Sequence, residues 1–432
     1  MTTAKVILWG TDIGAITWLD NRGIGVFQYM PSFLNSGIEI APLMMPLREF
    51  PYEFPALSKD TFRGLPGLLS DSLPDKFGNA LIDAWLASEN RKAASFNPVE
   101  RLCYIGTRGI GALEFEPSHH GPSTIEKELE IASLVKLANA ILNERSNLKG
   151  QFSGTDDQEV LEDILRVGTS VGGARAKALL AWNPITNEFR SGQIEVDSDY
   201  EHWLLKFDGV ANNRDKEIAD PLGYGRIEFA YYLMAVDASI VMMESRLHEE
   251  GGRSHFMTKR FDRTDAKSKL HKQTLGAIAH FDFNQPADYS YEQAIQVIKR
   301  LGLSREDIEQ QIIRAYFNVI ARNQDDHVKN IAFLMDRTGT WKLSPAYDMT
   351  YAYRPDGAWT NQHQMSINGK RDDFSRSDLI KLAEIGGIKQ SRANELIDQV
   401  LYSVSKWPDF AADAEIDGMT IDRIQNSHRL GL

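Results

Sequence analysis

The sequence predicts an α+β protein in which a β-rich N-terminal part is followed by a helical C-terminal part. Short apolar runs separated by turn residues fill the first 30 residues, whereas apolar residues at helical spacing, introduced by capping sequences, fill the last third. Strands and helices do not alternate along the chain, which argues against a doubly wound α/β sheet. At 432 residues the chain is too long for one simple core, so we expect two or three domains.

The β-rich part begins with three short apolar segments at residues 6–9, 15–19 and 25–30, and the Asn-Arg-Gly sequence at residues 21–23 is a favourable turn. We therefore expect three strands here and a fourth at residues 112–115. Between them the apolar period changes to that of a helix, whose buried face would carry Phe77, Ala80, Leu81, Ala84 and Trp85.

Two features suggest where the domains end. Residues 148–157 form a polar, glycine-containing segment that is the best linker candidate, and an earlier boundary near residues 117–122, just before a helix that a capping box opens at Ser123, is the alternative. We predict an N-terminal β-rich domain, a middle region and a helical lobe, at residues 1–120, 121–265 and 266–432.

The middle region is predicted to contain strands at residues 178–182, 203–207 and 255–261, with a helix beginning near Arg226. In the last third, Ser290 and Ser304 each open a capping sequence before an amphipathic helix. Two apolar segments, residues 331–335 and 341–343, flank a turn and predict a hairpin. Apart from this hairpin we expect the C-terminal lobe to be all-α.

Composition excludes several classes of protein. The longest apolar runs are far below the roughly 20 residues that cross a bilayer, so we expect no membrane association. The single cysteine, Cys103, allows neither an internal disulfide nor a thiolate metal site. A net charge of −12 argues against a large nucleic-acid surface. With no secretory signal visible, these features predict a cytoplasmic protein.

The densest polar segment is residues 323–330, Asn-Gln-Asp-Asp-His-Val-Lys-Asn, between an apolar helix and an apolar strand. Asp325 and Asn330 have the Asp-x-x-x-x-Asn spacing of protein-kinase catalytic loops. In such loops the aspartate accepts the proton of the substrate hydroxyl, and the asparagine binds Mg²⁺. A hydrophilic turn would explain the polarity but not so many functional groups, so we favour phosphoryl transfer.

Three further residues stand in the order that a kinase requires. Lys206 lies in an apolar strand, where an ammonium group is costly to bury without a counter-charge that an ATP phosphate could supply. Glu228, on the next predicted helix, could pair with Lys206. Asp348, just after the hairpin, has the position of a second metal-binding aspartate. Alternatively, Lys206 is a strand-edge lysine that reaches solvent by its long stem.

Two other interpretations concern metal and phosphate. Asp326, His327 and Asp348 could suggest a zinc or iron site, but one histidine among carboxylates is a poor zinc set, and oxygen ligands favour Mg²⁺ or Mn²⁺. The glycine-rich segment at residues 168–177 precedes the lysine strand, as a phosphate-covering loop would. It matches neither a Gly-x-Gly-x-x-Gly loop nor a P-loop, so a plain flexible loop is the alternative.

Together these segments resemble the HipA toxin family, and the resemblance covers nearly the whole chain. Residues 170–177 are similar to the family's Ser-x-x-Gly-Ala-Gln-x-Lys loop, and residues 259–263 to its Glu-Arg-Phe-Asp-Arg segment. Residues 323–330 are similar to its Asn-x-Asp-x-His-x-Lys-Asn loop, and residues 345–348 to its Pro-x-Tyr-Asp segment. Residues 68–75 resemble the Asn-Leu-Leu-Pro-Asp region of its N-terminal domain.

The resemblance implies a two-lobed, protein-kinase-like fold and a bacterial serine/threonine kinase that uses ATP and Mg²⁺. Such kinases are toxins of type II toxin–antitoxin pairs, and known members slow translation by phosphorylating aminoacyl-tRNA synthetases. The implied partner is a small helix-turn-helix antitoxin (HipB-like), so operator DNA would be reached only indirectly, through the antitoxin.

Carried over residue by residue, the resemblance makes Asp325 the catalytic base, Asn330 and Asp348 the magnesium ligands, and Ser170 an autophosphorylation site. The residues implied to contact ATP are Gly172, Gly173, Ala174, Arg175, Ala176, Lys177, Lys206, Lys259, Arg260, Phe261, His327, Val328, Lys329, Asn330, Tyr347 and Asp348.

The chain departs from the family pattern at three positions. Lys259 replaces a glutamate, Arg175 replaces a glutamine, and Arg322 replaces a glycine that often precedes the catalytic loop. Arginine at position 175 could still bind phosphate, because its fork suits that geometry. Two other functions stay open: a kinase of a small molecule, and a catalytically idle regulator that binds nucleotide and an antitoxin.

Overall fold

The computed structural model describes residues 1–118, 128–143, 163–165, 167–168, 175–193, 196–210, 222–264 and 268–432. Several sequence-based expectations lie outside these residues: the capping box at Ser123, the linker at residues 148–157, the autophosphorylation site Ser170, and residues 172–174 of the glycine-rich segment.

The N-terminal part is built on a four-stranded antiparallel sheet. Its strands are β1 (Thr2–Leu8), β2 (Thr11–Leu19), β3 (Ile24–Tyr29) and β4 (Leu113–Glu116), in the spatial order β3-β2-β1-β4. The predicted strands are thereby confirmed. They form here because alternate apolar residues bury one face of the sheet. The helices of this part are α1 (Pro31–Leu34), α2 (Lys59–Phe62), α3 (Gly67–Ser70), α4 (Lys76–Ser88) and α5 (Pro98–Ile105), with a short 3₁₀ turn at Ala93–Ser95.

A five-stranded antiparallel sheet follows. It is formed by β5 (Lys177–Trp182), β6 (Phe189–Ser191), β7 (Glu201–Lys206), β8 (Ser245–Glu250) and β9 (Arg253–Lys259), in the order β6-β5-β7-β9-β8. Every residue of β5 is buried, because α4 and α6 (Ile131–Asn143) share a core with this sheet. Helix α4 lies before residue 120 yet packs with the second core, so the domain limits at residues 120 and 265 stay predictions.

Helix α7 (Tyr224–Asp237) contacts both the second sheet and the helical lobe. That lobe contains α8 (Leu275–Ala279), α9 (Tyr291–Arg300), α10 (Arg305–Ile320), α11 (Arg376–Gly386), α12 (Gln390–Ser405), α13 (Trp407–Asp413) and α14 (Gly418–Gln425). The capping boxes at Ser290 and Ser304 are confirmed, since each hydroxyl accepts a hydrogen bond from the backbone three residues on.

One detail of the C-terminal lobe differs from the expectation of an all-α structure. The predicted hairpin is present as β11 (Ala332–Met335) and β12 (Trp341–Leu343), but β10 (His271–Thr274) adds a third strand beside β11. The sequence of β10 is polar and has no apolar alternation, so local patterning could not reveal it. Two of its buried polar side chains bond to each other, His271 and Gln273 at 3.0 Å, and Gln273 also donates to the carbonyl oxygen of Ile40.

In the part of the chain that the structure describes, no helix is long and apolar enough to cross a membrane.

Candidate active site

A buried ion cluster joins the second sheet to the C-terminal lobe. Lys206 ends β7, and its ammonium group lies 2.5 Å from Glu228 Oε1 on α7 and also contacts Asp348 Oδ1. Both Lys206 and Glu228 are largely shielded from water, with side-chain exposures of 11% and 3%. The lysine therefore does not reach bulk solvent as a strand-edge lysine would; its charge is balanced by two carboxylates.

This pairing fixes the charge state of the cluster. Burial alone would lower the pKa of Lys206, but Asp348 and Glu228 outweigh that effect and raise it. Burial would likewise raise the pKa of Asp348, but Lys206 and Lys177 hold it below its usual range. Lys206 is thus held as an ammonium and Asp348 as a carboxylate at neutral pH, the charge states that bind phosphate and metal.

Two further cations surround the cluster. Lys177, at the start of β5, is only 4% exposed, and burial lowers its pKa against the opposing charges of Asp75 and Asp348. Arg175 lies 3.7 Å from Glu228 Oε2, and its guanidinium stacks 3.6 Å from the centre of the Tyr224 ring. Arg175, which stands where the family has glutamine, is therefore held in place by the Glu228 carboxylate and the Tyr224 ring. Ala176 is buried beside it, and its carbonyl accepts a 3.0 Å bond from the Phe207 N–H.

The polar segment at residues 323–330 runs from the end of α10 to β11, as the sequence predicted for a loop between a helix and a strand. Asp325 is partly open to solvent, with 30% of its side chain exposed. One of its carboxylate oxygens accepts a 2.7 Å hydrogen bond from Trp359 Nε1, and His327 Nε2 lies 4.0 Å from the same oxygen. Asp325 is thus accessible from solvent and has one close side-chain donor.

The neighbouring Asp326 has a different environment. Its side chain is 1% exposed and accepts hydrogen bonds from Tyr291 Oη (2.7 Å), His363 Nδ1 (2.8 Å) and the Gln364 N–H (2.7 Å). Burial would raise the pKa of Asp326, but His363 and the hydrogen bonds lower it. This carboxylate anchors the loop and is closed to any substrate.

Two hydrogen bonds fasten the Asp348 segment to the same loop. Asn323 Nδ2 donates to the Asp348 carbonyl oxygen at 3.2 Å, and the Tyr347 hydroxyl donates to the Lys329 carbonyl at 2.5 Å. Asp348 itself has a φ of 53°, in the left-handed region that a non-glycine residue rarely adopts. Such a conformation persists where neighbouring contacts hold it, and functional sites are where it is typically found.

Asn330 and Asp348 supply the oxygen atoms that could hold a cation. Asn330 Nδ2 donates to the Asp325 carbonyl oxygen at 2.9 Å, which leaves the amide oxygen as the ligand atom. An amide oxygen and one carboxylate fit Mg²⁺, which keeps several waters and shares its shell with substrate phosphates. Among the described residues no group of three or more histidines, cysteines or carboxylates is placed to bind a metal, so no zinc-type cluster accompanies them there.

The structure gives Lys259, which stands where the family has glutamate, a partner on the neighbouring strand. Its ammonium group lies 2.6 Å from Glu201 Oε1 on the neighbouring strand, so the lysine forms a cross-strand ion pair. Arg260 is 3% exposed and bonds to Asp262 at 2.9 and 2.7 Å. Its guanidinium is therefore committed, and a nucleotide contact by Arg260 would have to come from its main chain. The Phe261 ring lies 5.6 Å from that of Tyr347.

The remaining predicted ATP contacts lie in residues 327–329. Val328 is 1% exposed and packs in the helical core, so its side chain faces away from any ligand. The His327 and Lys329 side chains both lie against the Phe283 ring, at 5.8 Å and 4.4 Å from its centre. Burial lowers the pKa of Lys329, against the opposing charge of Asp71.

The structure also explains the departure at Arg322. This residue has a φ of 60°, the conformation for which glycine is the usual choice. Its guanidinium compensates with a 2.8 Å bond from Nε to the Ser427 carbonyl oxygen, stacking on Tyr353, and an ion pair with Asp372 at 3.4 Å. An arginine can therefore stand where the family often has glycine, because its side chain ties the loop to the C-terminal segment.

Three residues of the site carry no sequence signal that assigns them a role: Trp359, Asp71 and Asp75. Trp359 carries no motif and lies 34 positions beyond Asp325. Asp71 and Asp75 belong to the segment that resembles the family's N-terminal domain, but no role was assigned to them there. Asp71 bonds to Thr274 and lies 3.4 Å from Lys272 Nζ, while Asp75 interacts electrostatically with Lys177. Burial raises the pKa of Asp75 to about 7, against the charge of Lys177.

Family models match most of the chain. The model for the HipA-like C-terminal domain matches residues 169–407, and the model for the HipA N-terminal domain matches residues 4–116. The chain belongs to the HipA family. The resemblance read from its motifs is thereby confirmed.

A solved structure shows the same fold. HipA in the toxin–antitoxin complex of Shewanella oneidensis MR-1, which contains HipA, HipB and operator DNA, superposes with a TM-score of 0.67 at 16% identity. The match covers 98% of this chain and 95% of that one. The α+β, two-lobed, protein-kinase-like fold is therefore confirmed.

The match to a curated relative covers a smaller part of the chain. A Sinorhizobium fredii (strain NBRC 101917 / NGR234) protein named "Putative kinase Y4mE" is 26% identical over 211 residues, which is 45% of this chain and 49% of that protein. The chain thus matches about half the length of this relative.

Proposed function

We propose that the chain is an ATP- and Mg²⁺-dependent protein serine/threonine kinase that acts as the toxin of a type II toxin–antitoxin pair. One observation carries the proposal: the loop that bears Asp325 is hydrogen-bonded to the segment that bears Asp348, and Asp348 in turn pairs with Lys206. A base, a metal ligand and a phosphate-binding lysine are thereby joined in one connected site, in the order that phosphoryl transfer needs.

In this proposal Lys206, oriented by Glu228, binds the phosphates of ATP. Asp325 accepts the proton of a serine or threonine hydroxyl, whose oxygen forms a bond to the γ-phosphorus while the bond to the β-phosphate oxygen breaks and ADP leaves. Asn330 and Asp348 hold Mg²⁺, which when bound neutralises negative charge on the phosphates. Ser170, outside the described residues, stays the proposed autophosphorylation site.

The proposed partners follow from the family. In the Shewanella complex HipA is assembled with HipB and operator DNA, and we propose a HipB-like antitoxin for this chain. The net charge of −12 on this chain supports an indirect contact with DNA, through the antitoxin, rather than a direct one. The proposed target is an aminoacyl-tRNA synthetase or a similar translation protein, which fits a cytoplasmic toxin.

The test is phosphoryl transfer by the unsubstituted protein and by Asp325→Asn. With labelled ATP, Mg²⁺ and candidate acceptor proteins, we expect label on serine or threonine, and a loss of about 100- to 10,000-fold in Asp325→Asn. ATP affinity and thermal stability should stay near the parental values, because the change is nearly isosteric and the indole of Trp359 can still donate to the amide oxygen.

The matched control is Asp413→Asn, the same substitution at an exposed position of α13, which should keep full activity. Transfer at the parental rate by Asp325→Asn would remove Asp325 from its role. Consumption of ATP only in the presence of a small-molecule acceptor would favour a small-molecule kinase, and ATP binding without any consumption would favour the idle regulator.

A further inference from the structure

The carboxylate of Asp325 has an unusual shortage of partners. Among the described residues, Trp359 Nε1 is the side-chain donor within hydrogen-bond distance of it, at 2.7 Å. The adjacent Asp326 accepts three hydrogen bonds. A carboxylate on a short side chain turns about its bonds unless a partner fixes it, and transfer requires one oxygen within about 3 Å of the acceptor hydroxyl.

The segment that carries Trp359 is itself held by hydrogen bonds, some of which join it to the loop of Asp325. Gln324 Nε2 donates to the Thr360 carbonyl oxygen at 3.1 Å, and Gln364 Nε2 donates to the carbonyl oxygen of Trp359. Gln364 also donates its N–H to Asp326. The segment that carries the indole is therefore tied to the loop that carries Asp325, which limits movement of one backbone segment relative to the other.

We propose that Trp359 is a positioning residue: its indole N–H holds one oxygen of Asp325, so that the other oxygen faces the acceptor hydroxyl. This inference rests on the proposed kinase function. The segment between Asp348 and Thr360 thereby orients the base, because displacement of that segment would remove the hydrogen bond to the Asp325 carboxylate. A hydrogen bond to an ionised carboxylate is about twice as strong as one between neutral groups, which suits it to this task.

The decisive substitution is Trp359→Phe, which keeps an aromatic ring and removes the donor. We expect kcat to fall by roughly 10- to 100-fold, as loss of a hydrogen bond to a charged group would cause, with the KM for ATP changed by less than about two-fold. A purely structural role would instead change kcat and the KM for ATP together.

Trp9→Phe is the matched control. Trp9 Nε1 also donates over 2.7 Å, to the Lys269 carbonyl oxygen, far along the chain from the catalytic loop. This substitution should cost a similar amount of stability and leave kcat unchanged. A kcat for Trp359→Phe equal to that of Trp9→Phe would overturn the positioning role.

A second measurement does not depend on activity. In protein labelled with ¹⁵N at its eight tryptophans, the indole signal lost in Trp359→Phe identifies that residue. We expect this signal to shift in Asp325→Asn, while the signal of Trp9 stays in place; an unmoved Trp359 signal would overturn the contact itself. Absence of transfer in the unsubstituted protein would remove the proposed kinase function, and the indole signal would still decide whether Trp359 holds Asp325.

Discussion

Asp325 and Asp326 are consecutive in one loop, yet their carboxylates meet different surroundings. The Asp325 side chain is 30% exposed and receives one close hydrogen bond, from Trp359. The Asp326 side chain is 1% exposed and receives three, from Tyr291, His363 and the backbone of Gln364. The same residue type therefore has two environments one position apart, and we propose that it performs two tasks.

Under the proposed function, this difference in surroundings would separate a reactive carboxylate from an anchoring one. An anchoring carboxylate is buried, and its lone pairs are used by donors that come from separate parts of the chain, so it holds those parts together. A reactive carboxylate must keep an oxygen available on the side from which substrate arrives. Asp348 lies between the two types, because it is 32% exposed yet already paired with Lys206.

The largest effect that would test this comparison is on stability. Asp326→Asn should lower the free energy of unfolding of the C-terminal lobe by about 2–4 kcal/mol, because it replaces a buried anion whose donors include the ring nitrogen of His363. Thermal or urea unfolding measures the change. Asp325→Asn is the matched control and should change stability by less than about 0.5 kcal/mol.

The comparison would break if the two substitutions exchanged their effects. An Asp326→Asn protein as stable as the parent but unable to transfer phosphate would make the buried aspartate the reactive group. Equal stability losses in both proteins would mean that the single indole contact anchors the loop as strongly as the three contacts of Asp326.

A second, smaller effect concerns Asp348. Asp348→Asn should weaken ATP binding in the presence of Mg²⁺ by roughly 10- to 100-fold, and metal-free ATP binding by much less, because it removes an anionic oxygen ligand. Calorimetry with Mg²⁺ and with a chelator separates the two. The matched control Asp325→Asn should bind ATP as tightly as the parent does in each condition. Equal losses with and without Mg²⁺ in Asp348→Asn would show that Asp348 acts only by pairing with Lys206.

Much of this arrangement could be predicted from the sequence, and the physical reason is locality. The capping boxes at Ser290 and Ser304 depend on residues three positions apart, and the Asp325–Asn330 spacing lies within one loop. The pairing of Lys206 with Glu228 was anticipated from the order of elements rather than from a pattern.

The rest depends on contacts between distant segments. Trp359 meets Asp325 across 34 positions, and Asp71 meets Thr274 across 203. No spacing rule reaches that far. The sequence also could not distinguish Asp325 from Asp326 by environment, because what separates them is burial by Tyr291 and His363. The strand β10 was missed for the same reason, since pairing with β11 and not its own polar sequence defines it.

The smallest expected effect is a change with pH in the free energy of unfolding that Asp326 contributes. Burial would raise the pKa of Asp326, but His363 and the hydrogen bonds outweigh it, so the folded pKa lies below the unfolded value of about 4. A carboxyl with a lowered folded pKa stabilises the protein above the unfolded pKa, and this stabilisation is lost as the pH falls through the folded pKa. The stability gap between the parent and Asp326→Asn should therefore be constant from pH 7 to about pH 5 and should narrow below about pH 4.

Other carboxyls with lowered pKa values, such as Asp262 and Asp348, are present in both proteins and cancel in the difference. Urea midpoints of the parent and of Asp326→Asn at a series of pH values measure the gap. A gap that widens in acid would show that Asp326 is protonated more readily in the folded protein, and that its three donors do not stabilise the charge.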